Sequence, residues 1–196
     1  MTRIEQAKKG IVTDEIEKTA KREGLSASFV RQAIAEGSIV IVRNNCRDIE
    51  PLALGAGTRV KINANIGTSS SLADLEEELR KMRVAVKHGA DAIMDLSTSG
   101  DLAAIREALL KQCPVALGTV PLYEMAVRAG AAKKSILDIT DDEMFEVIED
   151  HCRQGVDFLT LHCGVTLQSV ARFKQSGRLG GAVSRGGTII MEWICH

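Results

Sequence analysis

Aromatic side chains are scarce in this sequence: one tryptophan, one tyrosine and four phenylalanines in 196 residues, 3% of the chain. A core with so few rings must be filled by Ala, Val, Ile, Leu and Met, which suits helices packed on a sheet better than a β-sandwich. An excess of either charge is also missing: 25 basic and 26 acidic side chains leave a formal net charge of −1. Without a Lys/Arg run, that balance excludes a polybasic nucleic-acid binder. No apolar stretch approaches the ~20 residues of a membrane span, since runs such as Ser38-Ile39-Val40-Ile41-Val42 stop after a few residues. The start, Met1-Thr2-Arg3-Ile4-Glu5, has no apolar secretory stretch, so a cytoplasmic protein is expected. Cys46, Cys113, Cys152, Cys163 and Cys195 are odd in number, widely spread and never spaced C-x-x-C. Neither a zinc ribbon nor an iron–sulfur loop is expected within the chain, and the cysteines should be reduced and mostly buried. What remains is globular: 45% hydrophobic and 26% charged, at a length of one domain or one domain with a small appendage.

Residues 1–45 read as a small helical region. Thr2 and Glu5 have capping-box spacing, Thr13 precedes Asp14 and Glu15, and Ser26 opens a third helix; Gly10, Gly24 and Gly37 provide the stops. The β-branched run Ile39–Val42 follows, and 44–57, with Pro51, Gly55 and Gly57, reads as a loop. Residues 46–196 then alternate between strand and helix patterns. Strands are expected at Val60–Asn65, Ala92–Leu96, Pro114–Gly118, Val156–Leu161 and Ala182–Ser184. Helices are expected where Ser71 and Asp74 open a run with Leu72, Leu75, Leu79 and Met82 on one face, stopped by Gly89, then from Asp101 to Lys111, from Thr140 to about Arg153, and from about Thr188. About five apolar strands with helices between them imply a parallel α/β sheet. Its polar residues gather just past the strand C-termini, the ligand edge of either a doubly wound sheet or a (β/α)8 barrel. No G-x-G-x-x-G or Walker A sequence is present.

Several residues at that edge are candidates for chemistry. Ser184-Arg185-Gly186-Gly187 opens a helix; a serine, an arginine and free helix-terminal amides suit a phosphate, and a tight turn with a solvated arginine is the plain alternative. Asn63 and Asn65 put two carboxamides on one strand face, where a ligand or a neighbouring loop must satisfy them. His162 follows an apolar strand, and burial with a hydrogen-bonded ring is the usual outcome there. Tyr123 lies in the loop that Pro121 fixes, where a ring can cover a ligand, and Met94 either packs in the core or lines the mouth of the sheet. His88, His151 and His196 are expected at the surface.

These segments together resemble the radical-SAM phosphomethylpyrimidine synthases, which make the thiamine pyrimidine. The matching stretches are Val60-Lys61-Ile62-Asn63-Ala64-Asn65-Ile66-Gly67, Gly89-Ala90-Asp91, Met94-Asp95-Leu96-Ser97-Thr98, Gly118-Thr119-Val120-Pro121-Leu122-Tyr123, Gly155-Val156-Asp157-Phe158, His162 and Val183-Ser184-Arg185-Gly186-Gly187. The resemblance implies a partial (β/α)8 barrel behind a helical N-terminal region. It also implies conversion of 5-aminoimidazole ribotide to hydroxymethylpyrimidine phosphate, with S-adenosylmethionine cleaved at a [4Fe-4S] cluster and a zinc or similar divalent metal. Carried over motif by motif, Asn65, Met94, Tyr123, His162, Ser184, Arg185 and Gly186 would line the ribotide pocket.

The family's C-terminal cysteine triad and its metal histidines are absent from these residues. The expectation is therefore an N-terminal half that holds substrate, lacks the ligands for cluster and metal, and is inactive alone. It would self-associate or pair with a complementing C-terminal half, because a five-stranded open sheet leaves its edges unpaired. Two other readings share the ribotide pocket: a 5-hydroxybenzimidazole synthase of cobamide biosynthesis, and a catalytically inactive ribotide- or phosphate-binding module.

Overall fold

A computed structural model describes all of residues 1–196. Three short helices lead: α1 (Arg3–Lys8), α2 (Asp14–Glu23) and α3 (Ala27–Glu36). Thr2, Thr13 and Ser26 cap them as their spacing predicts, Thr2 in a reciprocal capping box with Glu5. Their apolar faces meet in one cluster that includes Ala7, Ile16, Ala20, Val30 and Ile34.

The stretch expected to be a loop holds a strand. β1 (Ile39–Val42) pairs antiparallel with β2 (Leu52–Gly55), from Ile39 opposite Gly55 to Val42 opposite Leu52. Nothing local announces β2, since Leu52-Ala53-Leu54-Gly55 has no β-branched residue and follows a proline. Its partner ten residues upstream makes it a strand. Gly55 is needed there because a side chain would run into the backbone of Ser38.

The main sheet is parallel and four-stranded: β3 (Asn63–Ile66), β4 (Ala92–Asp95), β5 (Ala116–Thr119) and β6 (Phe158–Leu159), in that order. The helices are α4 (Leu75–Lys87), α5 (Leu102–Gln112), α6 (Pro121–Ala131), α7 (Asp141–Gln154), α8 (Leu167–Gln175) and α9 (Arg185–Cys195). The mixed α/β class is as expected, with one parallel strand fewer. Ala182–Ser184 pairs with nothing: Val183 is 78% exposed, and Ser184 is used as the N-cap of α9. β3 starts at Asn63, where its pairing with Ala92 begins, and Val60 and Ile62 remain 90% and 61% exposed. Helices α6 and α8 were not expected. Four of the five cysteines are exposed and only Cys113 is buried, against the expectation of burial. No helix is long and apolar enough to cross a membrane.

Strand alternation gives the sheet two faces. On one, Ile66, Ile93 and Leu117 pack on Leu79, Met82, Ile105 and Leu109 of α4 and α5. On the other, Ala92 and Ala116 receive Val42 and Leu52 of the hairpin. Three ion pairs fix this docking, two of them buried and one, Arg59 with Asp91, half-exposed on the arginine side. Arg47 pairs with Asp157 and also donates to the carbonyls of Leu110, Cys113 and Val115, while Asp157 accepts the amides of Asn44 and Leu117, each at 2.8 Å. Lys61 reaches Glu23 of α2 at 2.8 Å, and Arg59 pairs with Asp91. The N-terminal region thus closes the lower part of the second face and leaves the strand C-termini as its accessible end.

Candidate functional site

The hydrogen-bonded register lines up one rung across the second face: Asn65 opposite Met94, Met94 opposite Gly118, and Gly118 opposite Phe158. Gly118 has no room for a side chain, because the Phe158 ring lies directly on it. One step higher, the Thr160 hydroxyl lies 3.8 Å from the Met94 sulfur. Met94 is 8% exposed and packs among Val120, Leu122 and Met125, so it is a core residue whose sulfur reaches the rung.

Above this rung, distant segments meet. The His162 ring, half-buried, lies against Gly186, and a Cβ there would collide with it. The Arg185 guanidinium stands over the Tyr123 ring, 5.5 Å from its centroid, in a cation–π contact. The Ser184 hydroxyl accepts the Gly187 amide at 3.1 Å, capping α9. That leaves the Arg185 and Gly186 amides without an intrahelical partner at the positive end of the helix. Tyr123, His162, Ser184, Arg185 and Gly186 are therefore brought together in pairs by α6, the segment after β6, and α9. Tyr123 is in the first turn of α6, not in a loop, because Pro121 starts a helix at its first position.

Asn65 stands apart. It lies on the edge strand, exposed, three strand spacings or about 14 Å from β6. Its carboxamide accepts a hydrogen bond from Asn63 at 3.3 Å, so the two asparagines partly satisfy each other rather than a loop. An apolar pocket of about 350 Å³ between α7 and α9 includes His162 but none of the other six residues.

The expectation of surface histidines fails at His151, which is 2% exposed. Behind the sheet end it joins a cluster of four buried polar residues from four elements. The His151 Nδ1 lies 2.7 Å from the Thr119 hydroxyl and its Nε2 lies 2.8 Å from the Glu124 carboxylate. Arg106 of α5 donates to the same carboxylate oxygen at 2.5 Å, and Arg128 binds the other at 2.7 Å. Burial alone would raise the Glu124 carboxyl; hydrogen bonds from His151 and Arg106, with the Arg106 charge, outweigh it and hold the group well below the usual carboxylate range. Nearby Asp95 goes the other way: burial pushes it up, although Ser97 donates to it from its amide at 2.9 Å and its hydroxyl at 2.5 Å. Helical spacing carried a signal for His151, since Val147 lies one turn earlier on the same buried face of α7.

Comparison with known proteins matches residues 2–196 to the pattern of the Radical SAM ThiC family. The chain is 53% identical over 196 residues to a phosphomethylpyrimidine synthase of Thermodesulfovibrio yellowstonii, covering all of this chain and 46% of that protein. It is 50% identical over 197 residues to the enzyme of that name from Pyrococcus abyssi and 48% over 198 residues to that from Thermus thermophilus, covering 46% and 45% of them. The chain thus spans about half the length of the curated relatives it matches.

Proposed function

The chain belongs to the Radical SAM ThiC family, and from that premise we propose that it carries the substrate-holding part of a phosphomethylpyrimidine synthase. Its ligand is 5-aminoimidazole ribotide, in the thiamine pyrimidine pathway. The sheet and its helices form the first part of a (β/α)8 barrel whose ligand edge is the strand C-termini. The observation that carries this reading is the convergence of His162, Gly186, Arg185 and Tyr123, from segments up to 63 positions apart, at that edge.

Arg185, held over Tyr123, and the open amides of α9 bind the phosphate; a guanidinium and a helix N-terminus both favour the charged form of the ligand. The bare backbone at Gly186 lets the ligand and the His162 ring share that corner. Asn65, the Met94 sulfur and the Thr160 hydroxyl beside it are assigned to the imidazole end.

The family name implies S-adenosylmethionine and an iron–sulfur cluster. The residues here do not fit a cluster: the five cysteines are separate, and no group of three His, Cys, Asp or Glu side chains is arranged to hold a metal ion. Residues 1–196 are therefore assigned binding and orientation of substrate, with no radical step. The cluster chemistry of such an enzyme is assigned to residues other than these 196, and the open edges of the sheet are where further strands would pair.

Titration calorimetry with 5-aminoimidazole ribotide and with inorganic phosphate tests the assignment. Arg185→Ala should weaken both by about 1.5–3 kcal/mol, the worth of a hydrogen bond to a charged group. Ribotide binding that ignores both this substitution and the phosphate group contradicts it.

A further inference from the structure

We propose that the buried Thr119–His151–Glu124–Arg106 cluster is a positioning device that sets the first turn of α6, and with it Tyr123 and Arg185, for ligand binding. Three observations converge on it. First, α6 lacks the usual hold on its start: Val120, at the N-cap, offers no side-chain acceptor, and only Pro121 pre-sets the turn. Second, Glu124, the next residue after Tyr123, is tied at both carboxylate oxygens: to Arg106 and His151 on one, to Arg128 on the other. Third, Thr119 ends β5 and reaches the other nitrogen of the His151 ring, so the strand end is linked through His151 to the carboxylate where α5, α6 and α7 meet.

Such a cluster is a poor source of stability. Desolvating two charges costs about what their attraction returns, and apolar residues of the same volume often do as well. Its physical advantage is directional: hydrogen bonds fix angles that apolar packing leaves loose. Thr119, Glu124, His151 and Arg106 are 2%, 5%, 2% and 2% exposed, so none can touch a ligand; they act through Tyr123. Tyr123 is the ring on which the Arg185 guanidinium rests, so a rotated α6 moves the cation that the ligand phosphate needs.

The inference rests on the ribotide reading for its ligand, but its first readout does not. Tyr123 is the only tyrosine in the chain, so a 13C-labelled tyrosine ring gives a single, assigned set of NMR signals. The variants are Glu124→Gln, which keeps shape and removes charge, and His151→Gln, each in the full 196-residue chain. Arg47→Met is the comparison, because it loosens the far end of the sheet and does not touch α6. The expected result is displaced or broadened Tyr123 ring signals in Glu124→Gln and His151→Gln, unchanged signals in Arg47→Met, and ribotide affinity lowered at least about tenfold, one decade per 1.4 kcal/mol, in the first two. Unmoved Tyr123 signals in Glu124→Gln and His151→Gln overturn the positioning role, as does equal displacement in Arg47→Met. Displaced signals in a chain whose unsubstituted form binds no ribotide uphold the positioning of Tyr123 and overturn the ribotide reading instead.

Discussion

Gly186→Ala separates the ligand corner from the stability of the fold. Alanine is favoured over glycine by up to about 1 kcal/mol in a helix interior, and by less at Gly186, the second residue of α9. Here the added methyl meets the His162 ring, the flexible end of a half-buried side chain. The ring can swing away at the cost of an off-rotamer side chain, about 0.5–1.5 kcal/mol. The two terms nearly cancel, so urea unfolding should place the variant within about 1 kcal/mol of the unsubstituted chain. Ligand binding should not escape so lightly. The displaced ring occupies the space beside the open amides of α9, and the ribotide affinity measured by calorimetry should fall by about tenfold or more. Adding His162→Ala removes the collision; the double variant should be as stable as Gly186→Ala and should not recover affinity, because the ring itself is lost. Full ribotide affinity in Gly186→Ala, with stability unchanged, would refute the claim that the His162–Gly186 contact shapes the site.

Arg47→Met should cost about 3–5 kcal/mol in thermal or urea unfolding, because Asp157 keeps two backbone donors but loses its buried counter-charge; a loss under 1 kcal/mol would show the hairpin docks without it. Gly118→Ala, pressed into the Phe158 ring, should cost about 1–3 kcal/mol by the same measurement. Glu124 has a folded-state pKa below its usual 4.5, so it contributes stability above pH 4.5 that is lost as the pH falls through the folded value. Asp95, raised by burial, contributes in the opposite sense: its contribution is full below its usual 3.8 and lost as the pH rises through the folded value. The stability gap between the unsubstituted chain and Glu124→Gln should therefore be constant near neutral pH and shrink below pH 4.5, and a gap that grows on acidification would reverse the assigned sign.

Much of the architecture is legible in local chemistry. The caps at Thr2, Thr13, Ser26, Asp101 and Thr140 stand where Ser, Thr or Asp precedes a periodic apolar run, whereas α4 starts at Leu75 with Asp74 as its cap, later than Ser71, and leaves Leu72 exposed. What local chemistry does not show is decided at long range. β2 exists because β1 is beside it, and Ala182–Ser184 is no strand because no strand is beside it. Tyr123 reads as a loop residue because Val-Pro ends a strand equally well before a turn or a helix. At the site, the pairings of Arg185 with Tyr123 and of Gly186 with His162 join segments that no spacing rule connects. His151 reads as a surface residue of a charged helix; its spacing from Val147 hints at the buried face, and its partners Arg106 and Glu124 on α5 and α6 are what that spacing does not show.

The most direct test of the account is chemical-shift mapping of the isotope-labelled 196-residue chain during titration with 5-aminoimidazole ribotide, with the dephosphorylated riboside alongside. Saturable shifts are expected at Tyr123, His162, Arg185 and Gly186, with weaker ones at Met94 and Asn65, and a much weaker response at Arg185 and Gly186 to the riboside. Shifts confined to the N-terminal helices, or a ribotide and riboside indistinguishable at Arg185 and Gly186, would contradict it.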